Sequence, residues 1–424
     1  MNRIVLIGNG FDLAHRLPTR YEDFINWYWE QRVRNFNGNL SNTDTDCLCS
    51  FKIKDNNDCR VWNVFFFYYC QRYINPVPGI SIINSIMSDT EHYETVLSPF
   101  LRNICNSIEN KGWVDIENEY YQLLKKCSIH ADSLYFTSKE LNTQLRHLQD
   151  KLIQYLTSVT NNNIVFNENI KKIIYSPINL NDISVAAHSC VAEHCSYWLS
   201  RDEREWRNRL LQYDMNVLLT MEDIATFKRK YTVQKPEGNI IVTNYHACPS
   251  QILLPNYVMI LNFNYSTVAD RYTKNSVGFV NHIHGDLSNP QNIIFGYGDE
   301  LDEEYSTLLK LNDNECLQNI KSIKYLESDN YRGMLSFIES EPYQVYIMGH
   351  SCGNSDRTLL NTLFEHKNCV SIKPFYHQKD DGTDNYLEII QNICRNFTDM
   401  KLMRDKVVNK TYCEPLPQNH KQQI

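Results

Sequence analysis

Four residues near the start of the chain, Ile4-Val5-Leu6-Ile7, followed directly by Gly8-Asn9-Gly10, constrain the fold more than any other feature. A short, largely β-branched run closed by glycine reads as a strand buried on both faces, the kind found in parallel sheets. Such a strand needs helices above and below it, so the run points to an α/β protein. The glycines point further. They let backbone approach a ligand closely, and a helix opening after them turns N–H groups toward an anion. The dinucleotide-binding fingerprint would place a third glycine at position 13, where Leu13 stands, so an ordinary nicotinamide dehydrogenase is disfavoured. A glycine turn without a ligand is the plain alternative.

The remaining strand signals come late. Ile240-Ile241-Val242, Val258 to Leu261, Phe279 to Ile283, Ile293-Ile294-Phe295, Val345 to Met348 and Val370-Ser371-Ile372 all read as strands. Helical patterns at Leu359 to His366 and Tyr386 to Asn396 lie between or after them, the alternation of βαβ units. Before them the periodicity is mostly helical: Tyr21 to Arg34, Val61 to Tyr73, Glu91 to Glu109, Glu117 to Lys126, Leu141 to Val159 and Asp202 to Lys230. A polar stretch to about Asp58 reads as an exposed loop. At 424 residues the chain is long enough for two domains, or for one carrying an insertion. The expected architecture is a doubly wound, mostly parallel sheet formed by residues 1–36 and 236–400, split by a mainly helical insertion at 37–235. Residues 401–424 are expected to form a polar tail.

Composition excludes several function classes. With 42 Lys and Arg against 50 Asp and Glu the net charge is −8, so no general field draws nucleic acid or anionic membrane. Lys228-Arg229-Lys230 and Arg201 to Arg209 are the nearest candidates for a local basic groove, but the latter alternates with Asp202, Glu203 and Glu205, as a solvated helix face does. Fourteen irregularly spaced cysteines suit reduced thiols. The first residues are too short and too soon interrupted for a signal peptide, and Val61 to Cys70 is about half a membrane span. A cytoplasmic protein with no membrane contact is expected. His188, Cys190, His194 and Cys195 are ligand types suited to zinc, but their spacing is not that of paired knuckles, and no metal is assigned.

The run Gly8 to Pro18 resembles the sirtuin signature Gly-Ala-Gly-X-Ser-X-X-X-Gly-Ile-Pro, with Asp12 in place of the serine and Arg16 in place of a glycine. The Phe-Arg pair that follows the sirtuin proline is absent, so deacylation of acyl-lysine is not expected. Asn262-Phe263-Asn264-Tyr265-Ser266 is similar to the Thr-Thr-Asn-Tyr-Asp of bacterial sirtuin-like defence enzymes, which implies Asn264 as catalytic asparagine. His282-Ile283-His284-Gly285 resembles their Lys-Leu-His-Gly and implies His284 as catalytic histidine. Gly349-His350-Ser351 is similar to the dinucleotide-holding Gly-Thr-Ser, with Asp356 matching a later aspartate. Together with Phe295-Gly296-Tyr297-Gly298-Asp299 and Leu17-Pro18-Thr19, the pattern from residue 4 to about residue 377 resembles the phage abortive-infection family AbiH. Trp113-Val114-Asp115-Ile116-Glu117 resembles a recurrent element of that family; read alone, it is a capped helix start with Trp113 in the core.

The resemblance implies a Rossmann-like, sirtuin-like domain and an abortive-infection enzyme that hydrolyses NAD⁺ to nicotinamide and ADP-ribose. Catalysis would fall to His284, Asn264 and Asp12. Gly8, Asn9, Gly10, Phe11, Asn262, Gly285, Gly349, Ser351 and Asp356 would bind the dinucleotide. Activity would be gated by a phage-derived trigger or by self-assembly into a homo-oligomer, with the insertion as control surface. Each residue also has a structural reading. His284 suits a general base by its ordinary pKa, or packs at a strand end; His282 shares its strand face and competes. Asn264 orients ribose or water, or closes a turn. Asp12 faces the ribosyl cation, or caps a helix. Two further functions stay open. One is a nucleotide-sensing module that binds NAD⁺ or ADP-ribose and signals to a partner. The other is a nuclease using Asp299, Glu300, Asp302, Glu303 and Glu304, a run that reads first as a solvated loop.

Overall fold

A computed structural model describes residues 1–38, 43–54, 79–129, 136–160, 164–213, 220–234, 240–273 and 276–419. The opening run forms β1 (Asn2–Ile7), buried at every position. Arg3 is tolerated there because its guanidinium lies 4.2 Å from the Tyr346 ring centroid and donates to the carbonyls of Ile174 and Ser176 and to Gln344 Oε1. A buried charge persists only when bonded in this way.

Four more strands complete the sheet: β2 (Val258–Asn262), β3 (Gly278–His282), β4 (Tyr343–Met348) and β5 (Cys369–Phe375). Their order is β5-β4-β1-β2-β3 and every pairing is parallel. The chain therefore steps outward from β1 through β2 and β3, then returns to the other side of β1. At such a reversal, the loops after neighbouring strands part and leave a crevice beyond the carboxyl ends.

Side-chain alternation builds two cores. Val5, Ile7, Val258, Ile260, Tyr346 and Met348 face one, covered by α1 (Asn9–Ala14) through Phe11 and by α2 (Glu168–Ile174) through Ile170 and Ile174. Ile4, Leu6, Met259, Leu261, Val345 and Ile347 face the other. It is covered by Met334 and Ile338 of α3 (Asn330–Ser340), Leu359 and Leu363 of α4 (Arg357–Glu365), and Ile389 and Ile393 of α5 (Tyr386–Arg395). This two-sided burial is why Ile4 to Ile7, Val258 to Leu261 and Val345 to Met348 are largely apolar, with polar residues kept to the strand ends.

The chain divides into two compact units. The first comprises Met1–Leu17, Asn162–Ile294 and Lys324–Ile424 and contains the parallel sheet. Residues 162–235, grouped by sequence with the insertion, fall in this unit. Ile178, Val191, Trp206 and Ile224 share a core with Val370 of β5. The second unit comprises Pro18–Asn161 and Phe295–Ile323. It holds helices Tyr21–Gly38, Pro99–Lys111, Ile116–Ser128 and Ser138–Thr160, and an antiparallel sheet of Thr43–Thr45, Cys49–Ile53 and Tyr93–Leu97.

Several expected elements differ. The polar stretch expected as a loop contains the hairpin Thr43–Ile53, because Asp46 Oδ1 accepts from the amides of Leu48 and Cys49 and so makes the turn. The helix expected from Glu91 starts only at Pro99, behind strand Tyr93–Leu97; Ser98 caps it at the Leu101 amide. The helix expected over Asp202 to Lys230 is two, Glu203–Gln212 and Met221–Tyr231, each opened by a capping box. Ile240–Val242 pairs with Thr232–Gln234 in a separate antiparallel sheet. Residues Ile293 to Phe295 form no strand; the Ile294 amide bonds the His284 carbonyl in a loop. The expected tail includes helix Met400–Lys406. Val61 to Tyr73 lies outside the described residues. Among the described residues no helix is long and apolar enough to cross a membrane.

Candidate functional site

The carboxyl ends of β1, β2, β3 and β4 gather most of the residues singled out by sequence, all within the first unit. The loops after β1 and β4 meet first. The Gly8 amide donates to Met348 O at 3.4 Å, the Gly10 amide to Gly349 O at 2.8 Å and the Phe11 amide to Gly8 O at 2.8 Å. A Cβ on Gly8 would lie 2.6 Å from His350 Cα, and one on Gly349 would lie 2.1 Å from the Phe11 nitrogen. Gly349 also has φ 76°, a left-handed conformation that favours glycine. These glycines therefore serve loop-on-loop contact, and the amides expected to meet phosphate at Gly8, Gly10 and Phe11 donate within the protein. Asn9 and Ser351 are the exposed members of the two loops. The Phe11 side chain is fully buried against His15 and Tyr272, so it anchors α1 rather than facing a ligand.

Asp12 does not cap α1, which has Gly8 before it and no side-chain cap bond. Instead its carboxyl is buried and accepts from the Ser266 hydroxyl at 2.7 Å through Oδ2. Oδ1 has no hydrogen-bond partner among the described residues. Burial pushes this carboxyl up to about 7, with the Ser266 hydroxyl and the Asn264 amide pulling the other way. Burial lowers the pKa of nearby His15 against the opposing pull of the Phe11 carbonyl on Nδ1, and Nε2 meets the Tyr272 hydroxyl. Arg16, standing where the sirtuin pattern has glycine, adopts φ 64°, the backbone conformation a glycine would supply.

After β2, Asn262 is fully buried. Its Nδ2 donates to Ser266 O and its Oδ1 accepts from the Asn264 amide, so it shapes the turn and faces no ligand. Asn264 is half-buried and donates from Nδ2 to Gly8 O at 3.0 Å, tying the β2 loop to the β1 loop.

After β3, His282 and His284 part company because the strand ends at His282. His282 bonds Asn262 and Asp270, whereas His284 is buried with Nε2 3.1 Å from the Tyr325 hydroxyl and 3.3 Å from Asp356 Oδ1. Gly285 follows at φ 77°, and a Cβ there would lie 2.4 Å from Asn292 O. Asp356 Oδ2 lies 3.6 Å from Nε2 of His350, whose ring centroid is 4.2 Å from that of Phe263. Three members carry no sequence signal of their own: Ser266, Tyr325 and His350. Ser266 and His350 sit inside matched motifs, and that position was the available clue.

Other candidates disperse. His188 bonds the Tyr245 hydroxyl, His194 bonds the Met1 amine and Leu254 O, and Cys195 is buried in a core with Cys248. Among the described residues no group of three or more His, Cys, Asp or Glu is placed to hold a metal. In the second unit, Asp302 and Glu304 pair with Lys125, and Asp299 Oδ1 accepts from the Leu301 amide. Asp115 caps helix Ile116–Ser128 at the Asn118 amide, Glu117 pairs with buried Lys321, and Trp113 is 58% exposed rather than in the core.

Comparison with known proteins adds one match. The family model described as bacteriophage abortive infection AbiH matches residues 4–377. No curated protein and no solved structure matches. The matched span runs from β1 past the end of β5 and includes every residue of the carboxyl-edge cluster, and the chain belongs to the AbiH family.

Proposed function

We propose that this chain is an abortive-infection effector that hydrolyses NAD⁺ to nicotinamide and ADP-ribose at the carboxyl edge of a Rossmann-like, sirtuin-like sheet. Family membership supports the abortive-infection role. One observation carries the chemistry: a buried carboxyl, Asp12, held by the Ser266 hydroxyl and pushed up to about 7 by burial, shares a sheet edge with Asn264 and the His284–Asp356 pair.

The nicotinamide ring of NAD⁺ is cationic, and its departure leaves positive charge on the ribose. A cation beside Asp12 favours the ionised carboxylate, which then stands where that charge develops. The C1′–N bond breaks with its electron pair leaving on nicotinamide, and water forms the new C1′–O bond. His284 takes the water's proton. Asn264 offers its side-chain carbonyl to a ribose hydroxyl or to the water. Asn9 and Ser351, at the exposed rim, are the contacts proposed for the phosphates.

The test is nicotinamide release from NAD⁺ by purified protein, alone and after exposure to phage-infected lysate. Asp12→Asn, Asn264→Ala and His284→Ala should each lower the rate by at least about 100-fold. No release under either condition, or equal release from all variants, overturns the reading. A sensing module is favoured by the engaged amides of Gly8, Gly10 and Phe11; NAD⁺ binding by calorimetry without turnover would select it.

A further inference from the structure

The two histidines at the carboxyl edge are not equivalent, and Asp356 stands between them. Its Oδ1 lies 3.3 Å from His284 Nε2 and its Oδ2 3.6 Å from His350 Nε2. Asp356 immediately precedes α4, where an aspartate ordinarily bonds the first amides of the helix. Its carboxylate makes no such bond. It is turned onto the imidazoles instead, while the start of α4 favours negative charge beside it.

The backbone fixes His350 in one state. The Cys352 amide nitrogen lies 3.0 Å from His350 Nδ1, and an amide N–H only donates, so Nδ1 carries no proton. The ring's single proton is then on Nε2, toward Asp356. A second proton would set two N–H groups head to head. Cys352 aims its amide from φ 55°, a left-handed conformation unfavourable for a residue other than glycine, and backbone strain of this kind gathers at functional sites. At His284 the neighbours of Nε2 are the Asp356 carboxylate and the Tyr325 hydroxyl, both able to accept. The Phe263 ring packs on both histidines, with centroids 5.1 Å from His284 and 4.2 Å from His350.

We propose that Asp356 is a positioning residue that makes His284 the proton acceptor of the site, while His350, whose Nδ1 accepts from the Cys352 amide, anchors the carboxylate between them. The NAD⁺ reading says which proton His284 takes; the positioning of His284 is testable without it. The titratable groups around His284 are Asp356, from the start of α4, Tyr325, from the turn before α3, and His350, across Asp356.

The test is a pH titration of the full chain carrying labelled histidine, followed by NMR and assigned with His284→Gln and His350→Gln. His284 should titrate above the ordinary value of about 6.5, and Asp356→Asn should lower its midpoint by about one unit, a tenfold loss of proton affinity. Asp356→Glu should restore part of it. His350 should carry its proton on Nε2 and leave Nδ1 as acceptor. An unmoved His284 midpoint in Asp356→Asn, or a His350 with its proton on Nδ1, overturns the proposal. If Asp356→Asn fails to fold, the native chain decides: a His284 midpoint below about 6.5 overturns it. The expected His284 titration without nicotinamide release sinks the NAD⁺ reading and supports the positioning; nicotinamide release with an unmoved His284 midpoint does the reverse.

Discussion

Asp12 carries the sharpest consequence at the scale of single residues. Its carboxyl is pushed up to about 7 in the folded chain, against about 3.9 when unfolded. Folding therefore favours the protonated form. The stability this gives is complete below about pH 4 and is lost as pH rises to about 7, by about 4 kcal/mol in all. Between pH 5 and 8 the thermal midpoint of the native chain should fall relative to that of Asp12→Asn; parallel curves would contradict the burial argument. Gly349→Ala should cost about 3 kcal/mol or more, because the new Cβ meets the Phe11 nitrogen and the backbone is left-handed. A thermal melt checks this, and a change within about 0.5 kcal/mol would contradict it. The placement of Gly8, Asn264, His284 and Gly349 at the carboxyl edge was legible because each lies at or just past the end of a strand pattern, whereas Asp356 came from the family resemblance alone. Ser266, Tyr325 and His350 were not, because their roles depend on loops that meet only in the folded chain. Asn262 and Phe11 were misread as ligand contacts for a related reason: sequence gives a side chain's chemistry but not whether it turns inward.

At the scale of elements, the central strands buried on two faces announced themselves, and the alternating strands of the second unit did not. Ile4 to Ile7, Val258 to Leu261 and Val345 to Met348 are apolar at successive positions because both faces are covered. Cys49–Ile53 alternates and hides in a polar stretch, its turn made by one aspartate. In the second unit the joint between helix Ile116–Ser128 and the Phe295–Ile323 segment rests on a buried pair. Glu117 accepts from Lys321 Nζ at 2.8 Å and from the Gly296 amide at 3.0 Å. Lys321→Ala should cost about 3–5 kcal/mol by leaving the Glu117 carboxylate without its cation, and adding Glu117→Gln should recover part of that loss. Denaturant unfolding of both variants checks it; a double variant no more stable than the single one would contradict the pairing argument.

At the scale of the whole molecule, the sequence foretold an α/β chain with a parallel sheet assembled from its two ends, because long-range strand pairing leaves a local trace in each strand. It did not foretell that residues 162–235 join the sheet's unit, since their helices look alike whichever core they cover. NAD⁺ cleavage is proposed to take place at the carboxyl edge of this sheet. The most direct measurement is nicotinamide released from NAD⁺ by the purified, phage-lysate-exposed chain, beside the Asp12→Asn, Asn264→Ala and His284→Ala variants confirmed folded by their melts. The account expects release from the native chain and at least about a hundredfold less from each variant. Release that is absent from the native chain, or undiminished in the variants, would contradict it.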